Sequence, residues 1–173
     1  LGAGGGGNIQ NLRVLPGIRE CIVPRPGKVF IQADYSAFEL YALAQSCLDS
    51  LGKSRLAEVL TQGMDPHCIV ASQISGADYA TVKAACKKKS DKYYHERQAG
   101  KVADFGLPGG LGVKTFVDYA WTGYHVKIEE EQARAIKQAW FQAWPEMTDF
   151  FAYVNSLQPG NGYVIRLKRS RRI

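Results

Sequence analysis

The sequence predicts an α+β chain, with a small sheet flanking a large, mostly helical insertion. Three observations point there. A β-forming run, Val29-Phe30-Ile31, follows a turn-rich stretch. A second, Tyr163 to Leu167, follows the Asn161-Gly162 turn. Between them the chain carries helix starts, helix stops and apolar spacing close to the α-helical period.

The elements follow in order. Residues 8–27 read as extended chain and turns, punctuated by Pro16, Gly17, Pro24, Pro26 and Gly27. Lys28 to Tyr35 reads as a strand, which sets Asp34 at its end. Ser36 is a good N-cap, and Glu39 stands at capping-box spacing, so a helix is expected from Ala37 to about Leu48. Leu51 to Leu60 reads as a short helix. Asp65-Pro66 starts the next, which runs through His67 to about Ile74. Asp78 to Lys89 is helical, and Ser90 or Asp91 caps a helix reaching about Leu107, where Pro108-Gly109-Gly110 stops it. Val113 to Trp121, Glu129 to Trp144 and Pro145 to about Leu157 complete the helices. In Glu129 to Trp144, Ala133, Ile136, Ala139, Trp140 and Ala143 share one face. No internal repeat is present.

With 173 residues, 46% hydrophobic and 22% charged, the chain can bury a real core. The net charge of +6 favours a polyanionic partner. Basic residues concentrate at Lys83 to Lys101 and Arg166 to Arg172, while Glu129-Glu130-Glu131 is locally acidic. The four cysteines, Cys21, Cys47, Cys68 and Cys86, are too widely spaced for a zinc motif and read as buried free thiols in a reducing compartment. No signal peptide or membrane-length apolar run is seen, so a soluble, cytoplasmic protein is expected. The glycine-rich start without methionine and the basic end just past a strand read as the ends of a fragment.

Two segments carry candidate chemistry. Asp34, ending an apolar strand, can offer its carboxylate to a hard cation such as Mg²⁺, with the Tyr35 carbonyl as a second oxygen; a turn or cap role is the plain alternative. Glu39 either faces the same cavity or serves a capping box. Arg97, Lys101 and Phe105 recur at steps of four, so they share one helix face. Two cations and a ring on one face suit a triphosphate and its base, though a solvated basic stripe with one core aromatic has the same spacing. Ala99, Gly100, Val102 and Ala103 let a ligand approach closely, and His67 can donate to a phosphate.

Asp34-Tyr35-Ser36-Ala37-Phe38-Glu39-Leu40 resembles motif A of the family A DNA polymerases, and Arg97 to Gly110 resembles their motif B. Asn8-Ile9-Gln10-Asn11 resembles the family's N-L-Q-N, and Ile18 to Pro24 its I-R-x-x-F-x-P. Asp65-Pro66-His67 resembles its D-x-H, and Gly162-Tyr163-Val164 with the basic run its G-Y-V turn. Six segments in the family's order cover nearly the whole chain. The resemblance implies a small palm-type antiparallel β-sheet with a helical fingers insertion. Residues 1–50 would be a palm segment with motif A, 51–158 a fingers segment with motif B, and 159–173 a return strand toward the palm.

It also implies a reaction: a primer 3′-hydroxyl attacks the α-phosphate of a dNTP and pyrophosphate leaves, assisted by two Mg²⁺ ions. Asp34 and the Tyr35 carbonyl would hold metal, with Asp34 and Lys101 as catalytic residues and Lys101 as proton donor to pyrophosphate. His67, Arg97, Lys101, Phe105 and Glu39 would bind the dNTP. Asn8, Gln10, Asn11, Arg169, Arg171 and Arg172 would bind template-primer DNA, and Lys87-Lys88-Lys89 its phosphates. No processivity partner is legible.

This sequence departs from motif A at Ala37, Phe38 and Tyr41, and from motif B at Pro108 and Gly109, where the family has tyrosine at the latter position. In the family that tyrosine packs near the motif A glutamate, which excludes a ribose 2′-hydroxyl. Gly109 therefore implies a looser Glu39, unless Phe38 or Tyr41 refills the space, and suggests a phage-like branch. The chain ends before motif C and its second metal-binding aspartate, which implies that this piece alone is nearly inactive. The rival reading is a non-catalytic nucleic-acid-binding protein derived from a polymerase, which would keep the basic surface without needing Asp34.

Overall fold

The computed structural model describes residues 17, 20–31 and 33–157, which fall into two units divided between Ser36 and Ala37. In the first unit, the described residues form turns and irregular chain. The expected strand from Lys28 to Tyr35 is absent there: Val29, Phe30 and Ile31 are irregular and exposed. Among the described residues the protein is helical, with no strand and no sheet, so the α+β expectation is corrected to a helical fold. The physical reason is that β propensity is expressed only against a neighbouring strand, and the described residues offer none. The second expected strand, Tyr163 to Leu167, lies outside the described residues, as do Asn8, Gln10, Asn11, Arg169, Arg171 and Arg172.

The second unit contains eight described helices: α1 (Phe38–Leu51), α2 (Arg55–Thr61), α3 (Pro66–Ser75), α4 (Tyr79–Ala85), α5 (Lys92–Gly106), α6 (Val113–Tyr124), α7 (Glu130–Ala143) and α8 (Glu146–Ser156). Their starts follow local chemistry. Ser54, Asp65, Asp78 and Asp91 each accept a backbone N–H from the first turn of α2, α3, α4 and α5. Glu129 and Gln132 form a reciprocal capping box at α7. The expected box at Ser36 and Glu39 does not form. Ala37 occupies the N-cap of α1 with a left-handed φ of 54° and no side-chain cap bond. Gly52, at φ 73°, ends α1 and separates it from α2, so the single helix expected from Leu51 to Leu60 is a break followed by a shorter helix. Pro108 and Gly109 lie in a 3-10 turn, Leu107–Gly109, that closes α5 as expected.

Helix α3 is the centre of the unit. Seven consecutive residues, Pro66 to Ser72, are buried on it, as a helix enclosed on several sides requires. It packs against α5, α7 and α4. The main core joins Leu40 and Ala44 of α1, Leu56 of α2, Val70 of α3, Val102 of α5, Phe116 of α6, Trp140 of α7 and Met147 of α8. A smaller apolar cluster, Cys68, Ala71, Val82 and Cys86, seals α3 against α4. All four cysteines are free; three are buried as expected, and Cys21 is exposed. Burial pushes the Cys47 and Cys68 thiols up to about 12, which keeps them as inert packing groups.

Candidate nucleotide site on helices α3 and α5

The close approach of α3 and α5 is set by Gly100. A Cβ at that position would stand 2.6 Å from the His67 carbonyl oxygen and 3.3 Å from the Val70 Cβ. Only glycine leaves room for the two backbones to meet. The consequence is that the first turn of α3, carrying His67, lies against the face of α5 that carries the candidate ligands.

Asp65 knits this junction. Its Oδ1 accepts the His67 backbone N–H at 3.1 Å, and its backbone N–H donates to the Tyr79 hydroxyl. Its Oδ2 accepts from Arg97 Nε and from Lys83 Nζ, each at 3.0 Å, and lies 3.0 Å from Arg97 Nη2 in the same ion pair. Burial pushes this carboxyl up, but the hydrogen bonds and charges of Lys83 and Arg97 outweigh burial and hold it at about 2. Asp65 therefore carries its charge through the neutral range. Arg97 is engaged with Asp65 and also with Cys68; burial alone would lower its pKa, and Asp65 outweighs burial and raises it.

One turn along α5, Lys101 is half-buried and makes no ion pair or hydrogen bond among the described residues. One turn further, the Phe105 ring lies 5.6 Å from the His67 ring at 49°. Phe105 also stacks on Tyr124, centroid to centroid 6.5 Å with planes 15° apart. Tyr124 sits at the end of α6 with its hydroxyl 3.4 Å from that of Tyr119. Burial, the Tyr119 contact and then the charge of Glu39 raise its phenol well above the usual range. The charge of Glu39, exposed on α1, thus reaches the Tyr124 phenol through space. Phe38 and Tyr41, on the same helix, are exposed, and Gly109 is exposed with nothing within 4 Å of a Cβ.

His67 is anchored from below. Its Nδ1 lies 2.7 Å from Asp104 Oδ2. Asp104 is 1% exposed, and its Oδ1 accepts the indole N–H groups of Trp140 at 3.0 Å and Trp144 at 2.9 Å. Sequence reasoning missed Asp104, Trp140, Trp144 and Tyr124 as parts of this region. A signal for the first was present: a carboxylate between Ala103 and Phe105 in an apolar half-turn needs buried donors.

The structure thus brings together His67, Arg97, Lys101 and Phe105 on α3 and α5, with Glu39 electrostatically linked to them through Tyr124. Asp34 and Tyr35 belong to the other unit, where both are exposed in irregular chain. Among the described residues no group of three or more His, Cys, Asp or Glu side chains could hold a metal ion. Those residues do not by themselves make a Mg²⁺ site; Asp34 offers a single carboxylate. No helix among them is long and apolar enough to cross a membrane.

Comparison with known proteins gives a consistent relationship. The model of the family described as DNA polymerase family A matches residues 7–173. DNA polymerase I of Aquifex aeolicus is 31% identical over 136 residues, 78% of this chain and 21% of that protein. DNA polymerase I of Caldicellulosiruptor bescii is 27% identical over 169 residues, 95% of this chain and 18% of that protein. The thermostable DNA polymerase I of Thermus filiformis is 28% identical over 171 residues, 95% of this chain and 18% of that protein. The chain spans about a fifth of the length of these curated relatives.

Proposed function

Because this chain belongs to DNA polymerase family A, we propose that it is the nucleotide-binding part of a template-directed DNA polymerase. The reaction proposed for the whole enzyme is attack of a primer 3′-hydroxyl on the α-phosphate of a dNTP, with pyrophosphate leaving. The observation that carries the reading is the junction of α3 and α5, where His67, Arg97, Lys101 and Phe105 gather on helices held together at Gly100.

In this reading Lys101 is the principal triphosphate cation, because no carboxylate among the described residues neutralises it. Arg97 adds its positive charge while Asp65 holds its guanidinium in place. His67 donates to a phosphate oxygen. Phe105 offers a face to the sugar and base, with Tyr124 stacked behind it. Glu39 reads the sugar, and Phe38, Tyr41 and Gly109 shape that side of the pocket. Residues 51–158 are the segment that carries the nucleotide. Lys87-Lys88-Lys89 contact DNA phosphates, and the polymerase works in the cytoplasm. Asp34 with the Tyr35 carbonyl contributes to Mg²⁺ binding, the metal supplying charge stabilisation at the phosphates when present. The described residues do not complete such a site.

Equilibrium binding of dATP to the purified chain, with and without Mg²⁺, tests the reading. Lys101→Ala should weaken binding roughly tenfold or more, the effect of losing a charge-assisted phosphate contact. Asp34→Ala should remove the Mg²⁺-dependent part of the affinity. Binding to DNA that ignores both substitutions, with no measurable dATP affinity, would instead identify a non-catalytic nucleic-acid-binding protein.

A further inference from the structure

We infer that Asp104 is a positioning residue for His67, and that Trp140 and Trp144 aim it; this rests on the reading above, in which His67 meets a phosphate. Asp104 lies in the last turn of α5, 1% exposed, where an unpaired carboxylate is strongly disfavoured. Two donors from α7 and its C-cap converge on it. The indoles of Trp140, on α7, and Trp144, at its C-cap, can only donate, and both reach Oδ1. With Oδ1 held from that side, Oδ2 is left facing His67 Nδ1 at 2.7 Å. Oδ2 takes the Nδ1–H, which fixes the tautomer and leaves Nε2 as the ring atom available to a ligand.

Two further contacts limit the ring. Gly100 lets the His67 backbone seat against α5, and the Phe105 ring bounds the imidazole at 5.6 Å. The His67 side chain keeps 10% exposure against 1% for Asp104, so the imidazole is where this buried network reaches the surface. If the only task were to fill the core, apolar side chains of similar volume would stabilise it as well or better than a buried carboxylate. A carboxylate oriented by two indoles toward one imidazole has a directional use. On binding, Nε2 takes up one proton from solvent or from the phosphate itself and donates it in a hydrogen bond to a phosphate oxygen, while Nδ1–H stays on Asp104, whose charge balances the doubly protonated ring.

The test is long-range ¹H–¹⁵N NMR of the full chain with labelled histidine, together with titration by sodium tripolyphosphate. The free wild-type chain should show His67 with its proton on Nδ1. In Asp104→Asn the amide oxygen stays on the indoles, the amide N–H₂ turns toward Nδ1, and the proton moves to Nε2. Tripolyphosphate affinity should fall roughly tenfold or more. Trp144→Phe removes one aiming donor and should give a mixture of tautomers, a readout that holds if Asp104→Asn does not fold. A free wild-type ring protonated on Nε2 and not on Nδ1 would overturn the proposal, because Asp104 would then be the donor. A tautomer switch in Asp104→Asn with unchanged tripolyphosphate affinity would overturn it too. A wild-type chain that binds no tripolyphosphate would sink the nucleotide reading and His67's part in it. The tautomer observed in that same sample would judge the Asp104 contact separately.

Discussion

Gly100→Ala and Gly123→Ala make the same chemical change in two helices, and the structure gives them opposite signs. In an ordinary helix, alanine gains about 0.8–1.0 kcal/mol over glycine. At Gly123, near the end of α6, a Cβ meets nothing within 4 Å, so most of that gain should appear, about 0.5–1 kcal/mol of added stability. At Gly100 the new carbon stands 2.6 Å from the His67 carbonyl oxygen, closer than such contacts allow. The obstacle is backbone, so no side chain can swing aside; α3 and α5 must separate by about half an ångström. Overpacking of this kind costs about 1–3 kcal/mol, and a rigid neighbour favours the upper end. After subtracting the helix gain, Gly100→Ala should destabilise by about 1–2 kcal/mol. The two variants should therefore melt about 5–10 °C apart, on either side of wild type. Thermal and urea unfolding followed by far-UV circular dichroism measures this directly. A Gly100→Ala chain as stable as wild type would refute the packing of α3 on α5 and with it the seating of His67.

Two further outcomes follow from carboxylates with fixed partners. Asp65 titrates at about 2 in the fold against 3.8 ordinarily, so the charged form is what the fold stabilises. Its contribution is present above pH 3.8 and is lost as the pH falls through 2. Asp65→Asn should thus cost about 2 kcal/mol at neutral pH, with the gap to wild type closing toward pH 2 in urea titrations; a gap that did not change with pH would contradict the assignment. Glu146, 3% exposed at the start of α8, accepts the Leu56 N–H at 2.9 Å and the Ser54 hydroxyl at 3.1 Å. Glu146→Ala should destabilise by about 2 kcal/mol or more by leaving those donors buried and unpaired, and equal unfolding midpoints would count against it.

What the sequence revealed, and what it hid, divides by range. The apolar face of α7 was legible because its period is local: Ala133, Ile136, Ala139, Trp140 and Ala143 are all buried. Asp65, Asp78 and Asp91 announced their helices because a cap bonds within three residues. Ser36 misled for the same reason, since it has capping chemistry but the turn places Ala37 at the N-cap instead. The run from Lys28 to Tyr35 misled because a strand is a property of a pair. In the candidate site, the helical spacing of Arg97, Lys101 and Phe105 could be read directly. Their partners could not: Asp65 bonds Arg97 from 32 residues away, and Trp144 bonds Asp104 from 40. Periodicity shows which way a side chain faces, not what it meets there.

The acidic clasps on α5 also constrain how this helix can travel. Asp65 ties α5 to α3 and α4 through Arg97 and Lys83, while Asp104 ties it to α3 and α7 through His67 and the two indoles. Sliding α5 past its neighbours would break all of these bonds at once and strand charge in the interior. A displacement of α5 that keeps these bonds therefore carries α3, α4 and α7 with it as one block. Within that block His67 and Phe105 are held at one spacing, with their ring centroids 5.6 Å apart.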